Sequence, residues 1–168
     1  MVLEYLKDLI PGALLLMLGY FAFQYFKNKD KGVPKNKAGE AIFSLRINAY
    51  ERMTLFLERI SPGNLTLRLH EQAANVSTYQ ALLLKEIREE YYHNLAQQIY
   101  LSPDLWDEIK RAMNEMMVII NQCAGDLQPD DPSLKLSKKI LEKVLEDEND
   151  PVAKPLLMIK KEVQQLFM

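Results

Sequence analysis

The first apolar residues of the chain form one continuous run. From Leu9 to Phe26 no residue is charged, and a helix over this segment reaches about 27 Å, close to the roughly 30 Å of bilayer hydrocarbon. Nine of these residues are Leu, Ile or Phe. Each of them favours insertion by about 0.3–0.6 kcal/mol, enough to outweigh Gln24, Pro11 and Gly12. The run predicts one N-terminal transmembrane helix within residues 1–26.

A group of lysines follows the apolar run, with only Asp30 opposing it. Positive charge beside a span marks its cytoplasmic side, so the C-terminal part of the chain is predicted to lie in the cytoplasm and the N-terminus outside. A cleaved signal peptide is disfavoured, because a basic start and a small-residue cleavage site are both missing. Residues 27–39 are predicted to be a basic linker whose lysines meet anionic headgroups at the membrane surface: Lys27, Lys29, Lys31, Lys35 and Lys37.

Residues 40–168 change to a different pattern, in which apolar positions recur every three or four residues. This is the period of an amphipathic helix, and five such stripes can be traced. The predicted core positions are Ile42, Leu45, Ala49, Met53, Phe56 and Ile60; Ala81, Leu84, Ile87, Tyr91, Leu95 and Ile99; Trp106, Ile109, Met113, Met116, Met117 and Ile120; Leu134, Ile140, Leu141, Val144 and Leu145; and Leu156, Ile159, Val163 and Leu166.

Capping and turn residues set the predicted bounds of these helices. The first helix covers residues 40–60 and is followed by Ser-Pro-Gly-Asn, and the second runs from a capping box to about Tyr100. The third begins at an N-cap serine followed by proline and ends at a glycine. The residues that mark these starts and ends are Ser77 with Gln80, Ser102 with Pro103, Gly125, Asp131 or Ser133, and Asp150 with Pro151.

The segment LTLRLH, residues 65–70, alternates leucine with polar residues over too short a length for a sheet. Two interpretations are open, an extended connector or a short helical turn. The fold class predicted for the whole chain is therefore all-α: one transmembrane helix followed by a small cytoplasmic bundle of about five helices in residues 40–168.

Charge is divided unevenly along the chain. Six lysines against three acidic residues give residues 1–38 a net charge of +3, so the remaining residues carry −5 of the total of −2. An acidic helical domain lacks the clustered cations that nucleic-acid binding needs, which excludes DNA and RNA as predicted partners. Cys123 is the only cysteine, so it has no internal disulfide partner and is predicted to be a small buried helix residue.

No motif in the sequence predicts catalysis, a metal or a cofactor. Glu90 and His93 have the Glu-x-x-His spacing of di-iron bundles, but it occurs once where such sites need it twice. Glycine-rich phosphate loops are absent. Five charged residues and one tyrosine off the first apolar stripe are interpreted as a solvated face, with an interface as the alternative: Arg46, Tyr50, Glu51, Arg52, Glu58 and Arg59.

Four segments of the chain resemble an uncharacterised family of membrane-anchored proteins from Bacteroidota bacteria. They are LRINAYERMTLFLERISP (45–62), LRLHEQ (67–72), LLLKEIREEYYHNLAQQIYLS (82–102) and IKKEVQQLF (159–167). The resemblance covers nearly the whole chain. It implies a bacterial inner membrane and supplies no activity, cofactor or catalytic residue.

These observations favour a membrane-tethered, non-enzymatic helical domain that docks a protein partner. One alternative is a structural subunit of a larger inner-membrane complex, in which the span itself packs against other spans. The disfavoured alternative is an enzyme on a membrane-associated substrate, which needs a polar pocket that contains His70, His93 or Cys123.

Overall fold

The computed structural model describes residues 16–25, 27, 35–147 and 150–167 of the chain. The chain divides into two compact units, Met1–Phe43 and Ser44–Met168. Within residues 35–167 the described part contains six α-helices and two short 3-10 helices, and no strand. They are α1 (Lys35–Ile60), α2 (Pro62–Leu69), α3 (Val76–Asn94), α4 (Pro103–Gly125), α5 (Ser133–Glu146) and α6 (Ala153–Gln165), with 3-10 helices at His70–Gln72 and Leu95–Tyr100. The predicted all-α class and helical bundle are confirmed.

The predicted transmembrane helix falls partly outside the described residues. Residues 9–15 and Phe26 are not among them, and residues 16–25 are helical with exposed side chains. In the part of the chain that the structure describes, no helix has both the length and the apolar character needed to cross a bilayer. Helix α1 begins at Lys35, five residues before the predicted start and inside the segment predicted to be a linker.

Prolines determine where two of the helices begin. The residue before a proline avoids the helical region, and Ser61 accordingly has an extended ψ of 145° that separates α1 from α2. Ser102 has a ψ of 149° before Pro103, and its side chain accepts a hydrogen bond from the backbone N–H of Leu105. The predicted start of the third helix is thus confirmed.

Helix α2 resolves the two interpretations of LTLRLH in favour of a helix. Leucines at alternate positions fit a strand, but Leu65 and Leu69 are also four residues apart and lie on one helical face. Both are buried in the core, whereas Leu67 points away from it and is 73% exposed. The bundle therefore has six α-helices in its described part instead of about five.

The start of α3 differs from the prediction. Its N-cap is Asn75, whose Oδ1 accepts a hydrogen bond from the backbone N–H of Thr78 at 3.0 Å. The predicted capping box is wrong, because Gln80 instead donates its side-chain amide to Asn121. Asn75 precedes Ser77 by two residues and caps the Thr78 N–H, while the N–H groups of Val76 and Ser77 donate to the carbonyls of Asp131 and Pro129.

The core is one apolar cluster to which all six helices contribute, and α4 packs against α3, α5 and α6. Met116 is fully buried while Met113 and Met117 pack at the edge, which confirms the methionines as core residues.

Several predicted core positions are wrong, because the helix faces are rotated or the stripe extends beyond the packed region. Ile42, Leu45, Ala81, Leu95, Ile99, Leu134, Leu141 and Leu145 are exposed, whereas Tyr50, Tyr79 and Leu83 are buried.

Candidate functional site

Helix α1 carries two rows of charged residues beside its core face. Met53, Phe56 and Leu57 point into the core. Arg52 and Arg59 form one row and Glu51 and Glu58 form the other. Residues seven apart are separated by about two helical turns, so the members of each pair lie along the same line of the helix. The two rows have different surroundings.

The arginine row is held against α3. Arg59 Nη2 lies 2.5 Å from Glu90 Oε1 and 3.5 Å from Glu86 Oε1. Arg52 donates from Nε to Asn94 Oδ1 at 3.3 Å, and its Nη2 lies 3.3 Å from His93 Nε2. These contacts occupy both guanidinium groups and fix α1 beside α3.

The glutamate row has no such contacts. In the part of the chain that the structure describes, no hydrogen bond or ion pair reaches the carboxylate of Glu51 or that of Glu58. Both side chains are exposed. Two negative charges therefore stand uncompensated on the outer face of α1.

An apolar groove runs between α1 and α6 beside this row. Its volume is about 480 Å³, within the range of pockets that bind ligands. Glu51 is the only charged residue among those that line it, and Leu55 stands at its edge with 62% of its surface exposed. The lining residues are Ile47, Tyr50, Glu51, Thr54 and Leu55 on α1, with Ile159, Val163 and Phe167 on and just beyond α6.

A second depression lies on the other side of Leu55, towards α2. Its volume is about 340 Å³, and it is lined by Leu55, Glu58 and Leu67 together with Arg59, Asn64 and Arg68. Leu55 borders both depressions, so they form one continuous surface. We call it the Leu55 surface and define it by Ile47, Glu51, Leu55, Glu58, Leu67, Ile159, Val163 and Phe167.

Hydrogen bonds between buried side chains hold the groove walls together. Tyr50 donates its hydroxyl to Glu162 Oε2 at 2.8 Å, and Ser102 donates to the other carboxylate oxygen of Glu162. Arg46 Nη2 donates to the Tyr50 oxygen at 3.1 Å. Burial, and then the Glu162 carboxylate, raise the pKa of Tyr50, so its hydroxyl stays protonated as the donor. The network links α1, α4 and α6 by hydrogen bonds beneath the surface.

Comparison with known proteins gives a family and no activity. A family model described as a family of unknown function, DUF7935, matches residues 1–166. The chain belongs to the DUF7935 family. No curated protein and no solved structure matches it. The expected resemblance to an uncharacterised family is confirmed, while the bacterial source and the membrane anchoring that it implies stay predictions.

The predicted membrane-surface lysines are only partly described. Lys27 is helical and exposed, and Lys35 and Lys37 lie in the first turn of α1. Lys29 and Lys31 lie outside the described residues. Their role at the membrane stays a prediction.

Of the residues singled out for possible chemistry, Glu90 and His93 come together: with Glu86 and Glu89 they line an open depression of about 300 Å³ on α3, and His70 and Cys123 are not among its lining residues. His70 Nδ1 is 2.8 Å from the Leu67 carbonyl, His93 contacts Arg52, and Cys123 is buried in the core, which raises the pKa of its thiol. Glu90 pairs with Arg59. Among the described residues, no three His, Cys, Asp or Glu side chains are arranged to hold a metal ion.

The six residues off the first stripe separate into inward and outward groups. Arg46 and Tyr50 enter the buried network, and Arg52 and Arg59 face α3, so only Glu51 and Glu58 remain free on the surface. The sequence reasoning missed Leu55, Leu67 and Phe167. Leu55 lies off the apolar stripe between two glutamates, and that position was the available signal for an exposed apolar residue.

Proposed function

We propose that this protein is a membrane-tethered, non-enzymatic interaction protein whose helical unit binds another protein through the Leu55 surface. One observation carries the proposal: an exposed apolar groove between α1 and α6 that is lined by Glu51 and followed along α1 by Glu58, neither of which has a cationic partner among the described residues. Apolar patches rimmed by polar residues are typical of protein-binding sites. The occupant that fits this groove is a helix of another protein that carries positive charges.

The energetics of the surface favour a macromolecular partner. Leu55, Leu67 and Phe167 are 62%, 73% and 71% exposed, so each has much apolar area left to bury. Full burial of such a side chain stabilises a complex by about 1.5–3 kcal/mol. The hydrogen bond between Tyr50 and Glu162 already joins the two walls of the groove. We therefore expect the protein to lose little conformational entropy when a partner binds.

The membrane tether rests on sequence. The uncharged run from Leu9 to Phe26 is long enough to span a bilayer, and the lysines after it favour a cytoplasmic location for the helical unit. We place the protein in a bacterial inner membrane with its N-terminus outside. The tether would hold the Leu55 surface close to the bilayer and raise its effective concentration for a partner at the membrane.

In-cell photo-crosslinking tests the binding proposal. A benzophenone amino acid replaces Leu55 in the full chain, and the same substitution at Leu145 is the matched control, because that leucine is 76% exposed on α5. We expect illumination to give one dominant adduct with a different protein from position 55 and not from position 145. Equal labelling at both positions, no adduct, or an adduct of two copies of this chain would refute the proposal.

Membrane fractionation tests the tether. The full chain should stay in the membrane pellet after alkaline carbonate washing, and a chain that begins at Gly39 should not. Protease added to spheroplasts should leave the helical unit intact, and protease added to inverted vesicles should digest it. Release of the full chain by carbonate would disprove the span, and the opposite protease pattern would disprove the orientation.

A further inference from the structure

We infer that the occupant of the Leu55 surface is an amphipathic helix with two cationic residues seven positions apart and apolar residues between them. This inference rests on the proposed function and specifies the partner. It follows from the juxtaposition of Glu51, Leu55 and Glu58 on the outer face of α1 beside the groove.

The spacing of the two carboxylates sets the spacing of the cations. Glu51 and Glu58 are separated by about 10.5 Å along the axis of α1, two turns of helix. A helix packed along α1 presents residues i and i+7 at the same separation, and residues i+3 and i+4 fall between them. Cations at i and i+7 would therefore meet the glutamates while the apolar side chains between them cover Leu55.

The dimensions of the groove set the length of the helix. Its α1 wall runs from Ile47 to Leu55, and its α6 wall runs from Ile159 to Phe167. Eight residue steps in a helix span about 12 Å, so the α1 wall is a little over two turns long. An occupant of about three turns, roughly 16 Å, reaches from Ile47 to Glu58, which is the size of segment used in helix-in-groove recognition.

The charge around the surface selects a basic occupant. Arg59 and Arg68 also line the second depression, but Glu86 neutralises both and Glu90 adds a second partner for Arg59. Among the residues that line the two depressions, only Glu51 and Glu58 are charged without an oppositely charged partner in the described part of the chain, and residues 39–168 carry −5 overall. A basic helix is attracted to such a surface during encounter, whereas an anionic lipid surface is repelled by it.

Selection from a helix library tests the inference. The full chain is held in nanodiscs of phosphatidylcholine, which carries no net charge. It is exposed to a display library of three-turn helices. Each helix has leucine at i+3 and i+4, and positions i and i+7 vary among Lys, Glu and Gln. We expect Lys at both i and i+7 to be enriched about ten-fold over the input library. Double reversal of the surface charges, Glu51→Lys with Glu58→Lys, should invert the preference to Glu at those positions.

The matched control reverses two exposed glutamates of α5, Glu142→Lys with Glu146→Lys, and changes the net charge by the same amount. It should leave the selection for Lys intact. Circular dichroism of each variant confirms that the helices are retained. No enrichment of any helix, enrichment without charge bias, or the same inversion in both double variants would overturn the inference.

The two proposals fail in different ways. If photo-crosslinking at position 55 captures a partner whose labelled segment is acidic or not helical, protein binding stands and the basic-helix inference is wrong. If the library selects basic helices but no adduct forms in cells, the charge preference stands and the proposed function is wrong.

Discussion

The Tyr50 hydroxyl donates to Glu162 Oε2 at 2.8 Å, which links α1 directly to α6 beneath the groove. Tyr50 is almost fully buried although it lies among polar residues in the sequence. Ser102, the N-cap of α4, donates to the same carboxylate. One acidic side chain therefore positions three helices.

Replacing Tyr50 by phenylalanine removes the hydroxyl but keeps the ring. Because the lost hydrogen bond is made to a carboxylate in a partly buried site, we expect the free energy of unfolding to fall by about 1–3 kcal/mol. Urea denaturation followed by circular dichroism measures the change. The control is Tyr92→Phe at a side chain that is 67% exposed, which should have no effect. Equal stability of both variants would show that the network is not structural.

A second buried tyrosine makes two hydrogen bonds. Tyr79 donates its hydroxyl to the Thr66 carbonyl at 2.9 Å and accepts from Ser137 Oγ at 2.9 Å, which joins α2, α3 and α5. Tyr79→Phe and Ser137→Ala should each destabilise the protein, and a double-mutant cycle should give a coupling energy of about 0.5–3 kcal/mol. Additive effects of the two substitutions would contradict a direct bond.

The start of α3 offers a test of the observed cap against the predicted one. Asn75→Ala removes the side-chain acceptor of the Thr78 N–H and should cost about 1 kcal/mol of stability. Ser77→Ala, at the residue that the sequence pattern favoured, should change stability by less than about 0.5 kcal/mol. A larger destabilisation by Ser77→Ala than by Asn75→Ala in thermal or urea unfolding would show that Ser77 is the N-cap.

Five of the six α-helices within residues 35–167 follow from hydrophobic periodicity and from caps such as Ser102 with Pro103. The periodicity is less informative about which face is buried. Ile42 and Leu45 continue the buried stripe of α1 but are exposed, because a sequence repeat does not specify where the packing partner ends. Helix α2 could not be predicted from the alternating leucines, because the positions of Leu65 and Leu69 are compatible with both a strand and a helix.

The candidate site was less predictable than the fold. In the sequence, four charged residues of α1 follow the same pattern and cannot be told apart: Glu51, Arg52, Glu58 and Arg59. The packing of α3 against α1 distinguishes the arginines from the glutamates. Arg59 forms ion pairs with Glu86 and Glu90 of α3, whereas Glu51 and Glu58 face away from α3 and form none with the described residues. The groove depends on α6, more than 100 residues further along the chain, and no local pattern indicates that α6 lies beside α1.

Stability should also depend on pH through Glu108. Its hydrogen bond from Lys154 at 2.8 Å, together with the charge of Arg111, lowers the pKa of this buried carboxyl below its ordinary value. A lowered folded-state pKa stabilises the protein above the unfolded-state value, and this contribution is lost as pH falls through the folded-state value. The stability difference between wild type and Glu108→Gln should therefore be largest near neutral pH and shrink on acidification. A constant difference would contradict the ion pair.

Co-purification with a surface variant shows whether the Leu55 surface binds a partner protein. Tagged full-length protein is isolated from detergent-solubilised native membranes as wild type, Leu55→Asp and Leu145→Asp, and partners are quantified by mass spectrometry. A buried aspartate in an apolar contact is costly, so we expect a stoichiometric partner with wild type and Leu145→Asp and at least about a ten-fold loss with Leu55→Asp. Equal recovery with both variants, or no stoichiometric partner with wild type, would show that this surface does not bind a partner protein.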